Sequence, residues 1–277
     1  MKAQYLGDIG DFGKVLLLSA ITSLGLKVGV NWVLTENDEG SDGKHRDYPW
    51  YGVRHKANNP HYPLKRTRDD PRNCLACCCD EQILRKIVPL AIKAREKRSI
   101  GDLESLLLDV LPDRPMFFRD IYQEGETRRS KIESCLEKLD LCELVFFDPD
   151  NGIILTDAPA ACSPKHIYLD ELRACWRLHK SLLVYQHWPR PTVGVPAHMR
   201  LVESELRRAL KDSKLMCLSL RRCAGRTYFL IIHPDHHERI LEGKERIQRA
   251  VEPLSFDLRG WQRIAKPCAS YHSWQFM

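Results

Sequence analysis

The chain has 277 residues, of which 43% are hydrophobic and 29% are charged, and its formal net charge is +6. This composition is ordinary for a globular protein and leaves no low-complexity tract. No apolar run approaches the roughly 18 residues of a membrane span, and the N-terminus lacks a signal-peptide pattern, so we expect a cytoplasmic protein that does not associate with membranes. The length suits one domain with a sizeable core.

The first part of the chain predicts two strands and one helix. A short strand is expected at residues 4–7, followed by Asp8-Ile-Gly-Asp-Phe-Gly-Lys14 and a buried helix at 15–24. Residues 27–34 have the β-branched composition of a buried strand, which Asn31 alone interrupts with a polar side chain. The stretch that follows has little periodicity and predicts a long irregular insertion at about 36–80.

The remainder of the chain alternates between helices and strands. Helices are predicted at 81–97, 100–110, 128–139, 170–180 and 199–210, with a basic helix ending near 250. Strands are predicted at 143–147, 181–186, 215–220 and 227–232, whereas 112–126 is rich in turn residues. This alternation predicts an α/β fold, a three-layer α/β/α arrangement with a mainly parallel sheet, as a single catalytic domain over 1–277 with the basic and aromatic insertion.

Polar side chains follow several predicted strands. They are Asp8 and Asp11, Asn31, Asp148 with Asp150 and Asn151, His187, and His233 with Asp235. If the strands are parallel, these groups converge on one edge of the sheet, where open α/β sheets bind ligands. Structural roles compete with this interpretation, because Asp8 or Asp11 could cap the helix near Lys14 and Asp148-Pro-Asp-Asn-Gly could be a simple turn.

Two of the chemistries that fit are metal-dependent phosphodiester cleavage and methyl transfer. For the first, Asp8, Asp148 and Asp150 would be the oxygen ligands of the metal. For the second, the segment 7–13 is similar to a glycine-rich first loop, and Asp148-Pro-Asp-Asn resembles the D-P-P-Y signature of base-amino methyltransferases that use S-adenosylmethionine.

A third chemistry, hydrolysis of an N-glycosidic bond, comes from a resemblance. The segment Val30-Asn-Trp-Val-Leu-Thr35 with its polar loop resembles the uracil-DNA glycosylase superfamily, in which a strand-borne Asn reads the flipped base. Ile232-His-Pro-Asp resembles the H-P-S loop of that family, whose His stabilises the departing base anion. The chain also resembles a bacterial group that shares Gln-Tyr-x-Gly-Asp and Phe-Phe-Asp-Pro-Asp-Asn-Gly, which suggests antiphage DNA glycosylases acting on hypermodified cytosine.

These resemblances imply a DNA glycosylase for antiviral defence that flips a modified base and leaves an abasic site, without a cofactor or a metal. Asn31 would read the base and His233 would stabilise the leaving group. The acid that activates water stays open between Asp8, Asp11 and Asp148. The remaining candidates for the base pocket are Phe12, Tyr5, Asn151 and His187.

The expected partner is double-stranded DNA, in particular modified phage DNA. Basic and aromatic residues supply phosphate affinity and stacking surfaces. The predicted contacts are Lys44, His45, Arg46, Trp50, Arg54, Lys65, Arg66, Arg221, Arg222 and Arg226. A cluster of cysteines, Cys74, Cys77, Cys78 and Cys79, leaves open either free thiols or a zinc or iron–sulfur site, and the oligomeric state is not predicted.

Overall fold

The computed structural model describes residues 3, 6–35, 81–93, 97–121, 127–159, 163–188, 195–220 and 225–251. The predicted insertion, the cysteine cluster and Tyr5 lie outside these ranges, as do all of the predicted DNA contacts except Arg226. Within the described ranges, no helix combines the length and the apolar character that crossing a membrane requires.

Eight strands are described, of which six form the central sheet. They are β1 (Val28–Leu34), β2 (Met116–Ile121), β3 (Leu144–Phe147), β4 (Gly152–Ile154), β5 (His166–Tyr168), β6 (Ser181–His187), β7 (Lys214–Leu220) and β8 (Arg226–Ile232). The central sheet has the order β2-β1-β3-β6-β8-β7, and β4 pairs with β5 in a separate parallel ribbon. The predicted mainly parallel α/β/α fold is therefore confirmed.

One strand of the sheet runs against the others. β1, β2, β3 and β6 pair in parallel, whereas β8 is antiparallel to both of its neighbours, β6 and β7. Only residues 221–225 separate β7 from β8, and a parallel connection needs about a dozen residues or more, so these two strands must form a hairpin. The end of β8 consequently lies beside the start of β6. This is the edge of the sheet formed by the amino ends of the parallel strands, opposite the edge formed by the carboxyl ends of β1 and β3.

The helices cover both faces of the sheet. They are α1 (Ile9–Thr22), α2 (Glu81–Ile92), α3 (Ile100–Val110), α4 (Arg128–Lys138), α5 (Leu169–Arg177), α6 (Val195–Ala209), α7 (His237–Glu242) and α8 (Lys244–Val251). The first apolar cluster joins one face of the sheet to α1, α2, α3, α7 and α8. The second cluster joins the opposite face to α4, α5 and α6.

Alternation along the central strands decides which side chains face which layer. Val30 and Trp32 of β1 belong to the first cluster, so Asn31 between them points toward the second. In β3, Phe146 faces the first cluster and Phe147 the second. The residue after Phe147 therefore returns to the face of α1.

Several parts of the predicted secondary structure differ from the structure. Leu6 and Gly7, within the strand expected at 4–7, lie in a turn, and β4 and β5 were not predicted. Helix α1 begins at Ile9, before the expected start at 15, because Asp8 is its N-cap and accepts hydrogen bonds from the backbone N–H groups of Gly10 and Asp11. The segment 112–126, expected to consist of turns, contains strand β2. β2 is half exposed at the edge of the sheet, so it lacks the continuous apolar run by which the buried strands were predicted.

Candidate active site

The carboxyl ends of β1 and β3 mark the point where the sheet changes its winding direction. From β1 the chain continues to β2 on one side, while β3 pairs on the other side and leads to β6. Open α/β sheets bind their ligands outside such a topological switch point. Here Thr35 follows β1, and Asp148-Pro149-Asp150-Asn151 follows β3.

A buried lysine connects α1 to the end of β3. Lys14 Nζ lies 2.8 Å from Asp11 Oδ1 and 2.7 Å from Asp148 Oδ2, and all three residues are buried. Burial alone lowers the pKa of Lys14, but the two carboxylates outweigh burial and hold that pKa well above its ordinary value. Burial raises the pKa of Asp11, although Lys14 opposes that shift. The lysine is therefore charged.

The turn after β3 is held by the ends of the neighbouring strands. The backbone N–H of Asp148 donates to the carbonyl of Asn31, and the Thr35 hydroxyl donates to the Asp150 carboxylate. The carbonyl of Asn151 accepts a hydrogen bond from the backbone N–H of His187. These contacts fix Asp150 and Asn151 between the ends of β1 and β6.

Gln186 makes a glycine necessary in this turn. Its Oε1 atom accepts a hydrogen bond of 2.8 Å from the backbone N–H of Ile153, and a methyl group on Gly152 would lie 2.4 Å from that oxygen. Gly152 also has a φ of +120°, which L side chains rarely adopt. The path of the chain after Asn151 is therefore set by glycine.

Because β8 is antiparallel, its residues Arg226 and Tyr228 lie near the carboxyl ends of β1, β3 and β6. Arg226 pairs with His187 in the β6–β8 register, and its Nη2 lies 3.8 Å from Asp8 Oδ2. The rings of Tyr185 and Tyr228 meet edge to face at 5.7 Å, and the Tyr185 hydroxyl lies 3.0 Å from His187 Nδ1. Burial raises the pKa of both tyrosines, so both hydroxyls are protonated at neutral pH.

Of the nine sequence-predicted site residues that the structure describes, six meet at this edge. They are Asp8, Asp11, Asp148, Asn151, His187 and Arg226. Arg226, predicted as a DNA contact, is buried at this edge. Phe12 is fully buried in the first apolar cluster, so its ring has no open face for a base.

The two residues of the predicted base pocket do not meet. Asn31 is buried under α4, where its Nδ2 donates to Cys135 Sγ at 3.4 Å, on the face of the sheet opposite α1. Its Oδ1 has no hydrogen-bond partner among the described residues. His233 follows antiparallel β8 at the other edge, where its backbone N–H donates to Ser181 Oγ at 3.0 Å. The expected convergence therefore fails for His233, because β8 is not parallel.

The acids predicted as metal ligands are not arranged as a metal site in the part of the chain that the structure describes. Among the described residues, His179, His233 and Asp235 are the group whose ligand atoms lie close enough together to hold an ion. At the carboxyl edge, Lys14 Nζ fills the space between Asp11 and Asp148.

Sequence reasoning missed Lys14, Tyr185 and Tyr228 as parts of this edge. A signal for Lys14 was present, because a lysine that precedes an apolar run and follows Asp11 by three residues shares a helix face with that acid. The two tyrosines give no comparable signal, since aromatic residues are common in any buried strand.

No protein-family model, curated protein or solved structure matches the chain at a significant level. The geometry and charge of the carboxyl edge are therefore the basis for proposing a function.

Proposed function

We propose that this chain is a methyltransferase that uses S-adenosylmethionine to modify an exocyclic amino group of a nucleobase. The observation that carries the proposal is the location of Asp148-Pro149-Asp150-Asn151, directly after the central strand β3 and at the topological switch point. This segment resembles the D-P-P-Y signature of base-amino methyltransferases at its first two positions, whereas Asp150 replaces the second proline and Asn151 replaces the tyrosine.

The strand order supports the same reaction at the level of fold. Methyltransferases that use S-adenosylmethionine commonly have a reversed last strand inserted one place from the edge of a parallel sheet. β8 occupies the corresponding place between β6 and β7. Folds host many functions, so this likeness is an analogy of architecture, and the residues of the site carry the proposal.

The charges at this edge fit a cationic methyl donor. S-adenosylmethionine supplies an electrophilic methyl group on a positively charged sulfur. The contacts described above involve four carboxylates, those of Asp8, Asp11, Asp148 and Asp150, and two cations, Lys14 and Arg226. Such an excess attracts positive charge, while Lys14 and Arg226 keep part of the edge suitable for a carboxylate.

The turn after β3 offers the acceptors that an amino substrate needs. An exocyclic amino group is a weak nucleophile, so it has to be oriented by acceptors for its N–H bonds. The backbone carbonyl of Pro149 is an acceptor in this turn, and the Asp150 carboxylate can accept more than the bond from Thr35. Transfer would break the bond between the sulfur and the methyl carbon of the donor as the N–C bond forms, and S-adenosylhomocysteine would be the leaving group. The nitrogen gains positive charge, which neighbouring carboxylates stabilise, and its proton can leave to Asp150 or to water.

The glycosylase predicted from the sequence requires Asn31 and His233 in one pocket. Asn31 lies under α4 and His233 at the opposite edge of the sheet, so the geometry supports methyl transfer better. The glycosylase stays a prediction that the same experiment tests.

The experiment incubates the purified chain with tritiated S-adenosylmethionine, once in EDTA and once in Mg²⁺, with unmodified or modified DNA and with RNA. We expect tritium in the nucleic acid and binding of S-adenosylmethionine in calorimetry. Alkali-labile abasic sites without methyl transfer would instead establish the glycosylase, and strand breaks that require Mg²⁺ would establish a nuclease. Either of those results, or no transfer to any of these substrates and no cofactor binding, overturns the proposal.

Variants of the turn connect the activity to this site. Asp150→Asn keeps the size of the side chain but removes its charge, and we expect a loss of about 100-fold or more in the rate of transfer. Asp157→Asn is the control, because Asp157 is exposed and pairs with Arg173 outside the turn. Equal rates in the wild type and in Asp150→Asn would exclude Asp150 from the reaction.

A further inference from the structure

We propose that His179, His233 and Asp235 form a binding site for a divalent transition-metal ion such as Zn²⁺. One ligand atom from each residue lies within 4.8 Å of the others. The group lies at the edge of the sheet where β6 begins and β8 ends, opposite the candidate active site. The inference is therefore independent of the proposed methyl transfer.

The distances within the group are close to those of a metal site. Asp235 Oδ2 lies 2.8 Å from His179 Nδ1, and Asp235 Oδ1 lies 3.5 Å from His233 Nδ1. Ligands about 2.0–2.2 Å from a tetrahedral zinc ion are about 3.3–3.6 Å apart. His233 Nδ1 also accepts a hydrogen bond of 3.3 Å from the backbone N–H of Asp235, and an ion bound to that nitrogen would replace this bond. Two imidazoles and one carboxylate are ligands that suit zinc and its neighbours in the first transition row.

The backbone holds the two imidazoles near each other without a metal. His179 follows α5 in the left-handed conformation, with a φ of 61°. The backbone N–H of His233 is bound to Ser181, and Pro234 begins the short 3₁₀ turn that carries Asp235. The His179 and His233 rings lie 4.9 Å apart. Little ordering is therefore needed when an ion binds, which favours affinity.

Two further histidines in the same turn have other partners. His236 Nδ1 lies 2.9 Å from Ser181 Oγ, and His237 Nε2 lies 3.1 Å from the carbonyl of Ile232. Among the described residues the site thus has three protein ligands, and the remaining coordination positions could be taken by water. Because His179 and Asp235 are exposed, an ion can enter from solvent.

The test is calorimetric titration of the full chain with ZnCl₂ after removal of metals by EDTA. The cysteine-rich segment could also take zinc, so the comparison is with His179→Ala and Asp235→Asn. Both changes are at exposed positions and should leave the fold intact. His237→Ala is the matched control, because that residue lies in the same turn and is not among the proposed ligands.

We expect the wild type and His237→Ala to bind one more equivalent of Zn²⁺ than His179→Ala and Asp235→Asn. If either variant still binds the additional Zn²⁺ ion, its affinity for that ion should be at least about tenfold lower than that of the wild type. Even the loss of a residue that only supports a metal ligand has an effect of this size. Zn²⁺ should also raise the melting temperature of the wild type more than that of either ligand variant. Identical stoichiometry, affinity and thermal shift in all four proteins would mean that His179 and Asp235 form only a hydrogen-bonded pair at the surface, and the proposal would be overturned.

Discussion

Lys14 Nζ lies 2.7 Å from Asp148 Oδ2, so the first helix is tied to the residue that follows the central strand β3. The same ammonium group lies 2.8 Å from Asp11 Oδ1. A single buried cation thus holds two of the acids predicted from the sequence in fixed positions. The edge of the sheet depends on α1 for its geometry as well as for part of its apolar cover.

Replacing Lys14 with Met should be strongly destabilising. The change keeps the apolar stem but leaves Asp11 and Asp148 buried without their shared cation, which costs about 3–5 kcal/mol. The measurement is the free energy of unfolding from urea titration. Lys86→Met is the control, since Lys86 forms a partly exposed pair with Asp109 and should change stability by no more than about 1 kcal/mol. Equal effects of the two changes would contradict a structural role for Lys14.

Gly10→Ala should disturb the edge through Arg226. A methyl group on Gly10 would lie 1.2 Å from Arg226 Nη1, so the guanidinium must move and its interaction with Asp8 weakens. We expect a loss of about 1–3 kcal/mol in stability, as for other overpacked sites. A double-mutant cycle tests whether Arg226 is the cause, by measuring the stability change of Gly10→Ala in the wild type and in an Arg226→Ala background. In the second background the clash is absent and alanine favours the helix, so the destabilisation should disappear. A cost that is the same in both backgrounds would exclude Arg226 as the origin.

The fold class could be predicted from the alternation of apolar strands and amphipathic helices, but the direction of β8 decides what the site contains. Its direction was available in the sequence, since residues 221–225 are too few for a parallel connection between β7 and β8. With β8 reversed, Arg226 rather than His233 reaches the carboxyl edge. The polar residues after β3 were correctly expected there because β1, β3 and β6 are parallel.

The role of Asn31 was harder to predict. A strand buried on both faces has no polar side, so its alternation does not say which layer a polar residue meets. Only the packing of α4 shows that Asn31 lies beside Cys135. For Lys14 the sequence indicates only the pairing with Asp11, because its second partner, Asp148, is distant in the sequence.

Asn31→Leu should leave stability unchanged or raise it. Asn31 makes a weak bond to Cys135 Sγ, and its buried Oδ1 has no partner among the described residues, so the amide contributes little there. A leucine of similar size avoids the cost of burying an amide. Urea titration measures the effect, and the methyl-transfer and abasic-site assays give its consequence for function. Loss of activity with unchanged stability would support the predicted role of Asn31 as a base reader.

Glu171→Gln should remove part of the dependence of stability on pH. Burial raises the pKa of Glu171 from 4.5 to about 7, although Arg128 donates to its carboxylate. The native state then binds this proton more tightly than the unfolded state between about pH 4.5 and 7. The contribution of Glu171 to stability is therefore present below pH 4.5 and is lost as the pH rises toward 7, by at most about 1.4 kcal/mol per pH unit. The urea midpoint of unfolding should fall from pH 5 to pH 7, and this fall should be larger in the wild type than in Glu171→Gln. Equal falls in the two proteins would mean that Arg128 keeps Glu171 ionised throughout this range.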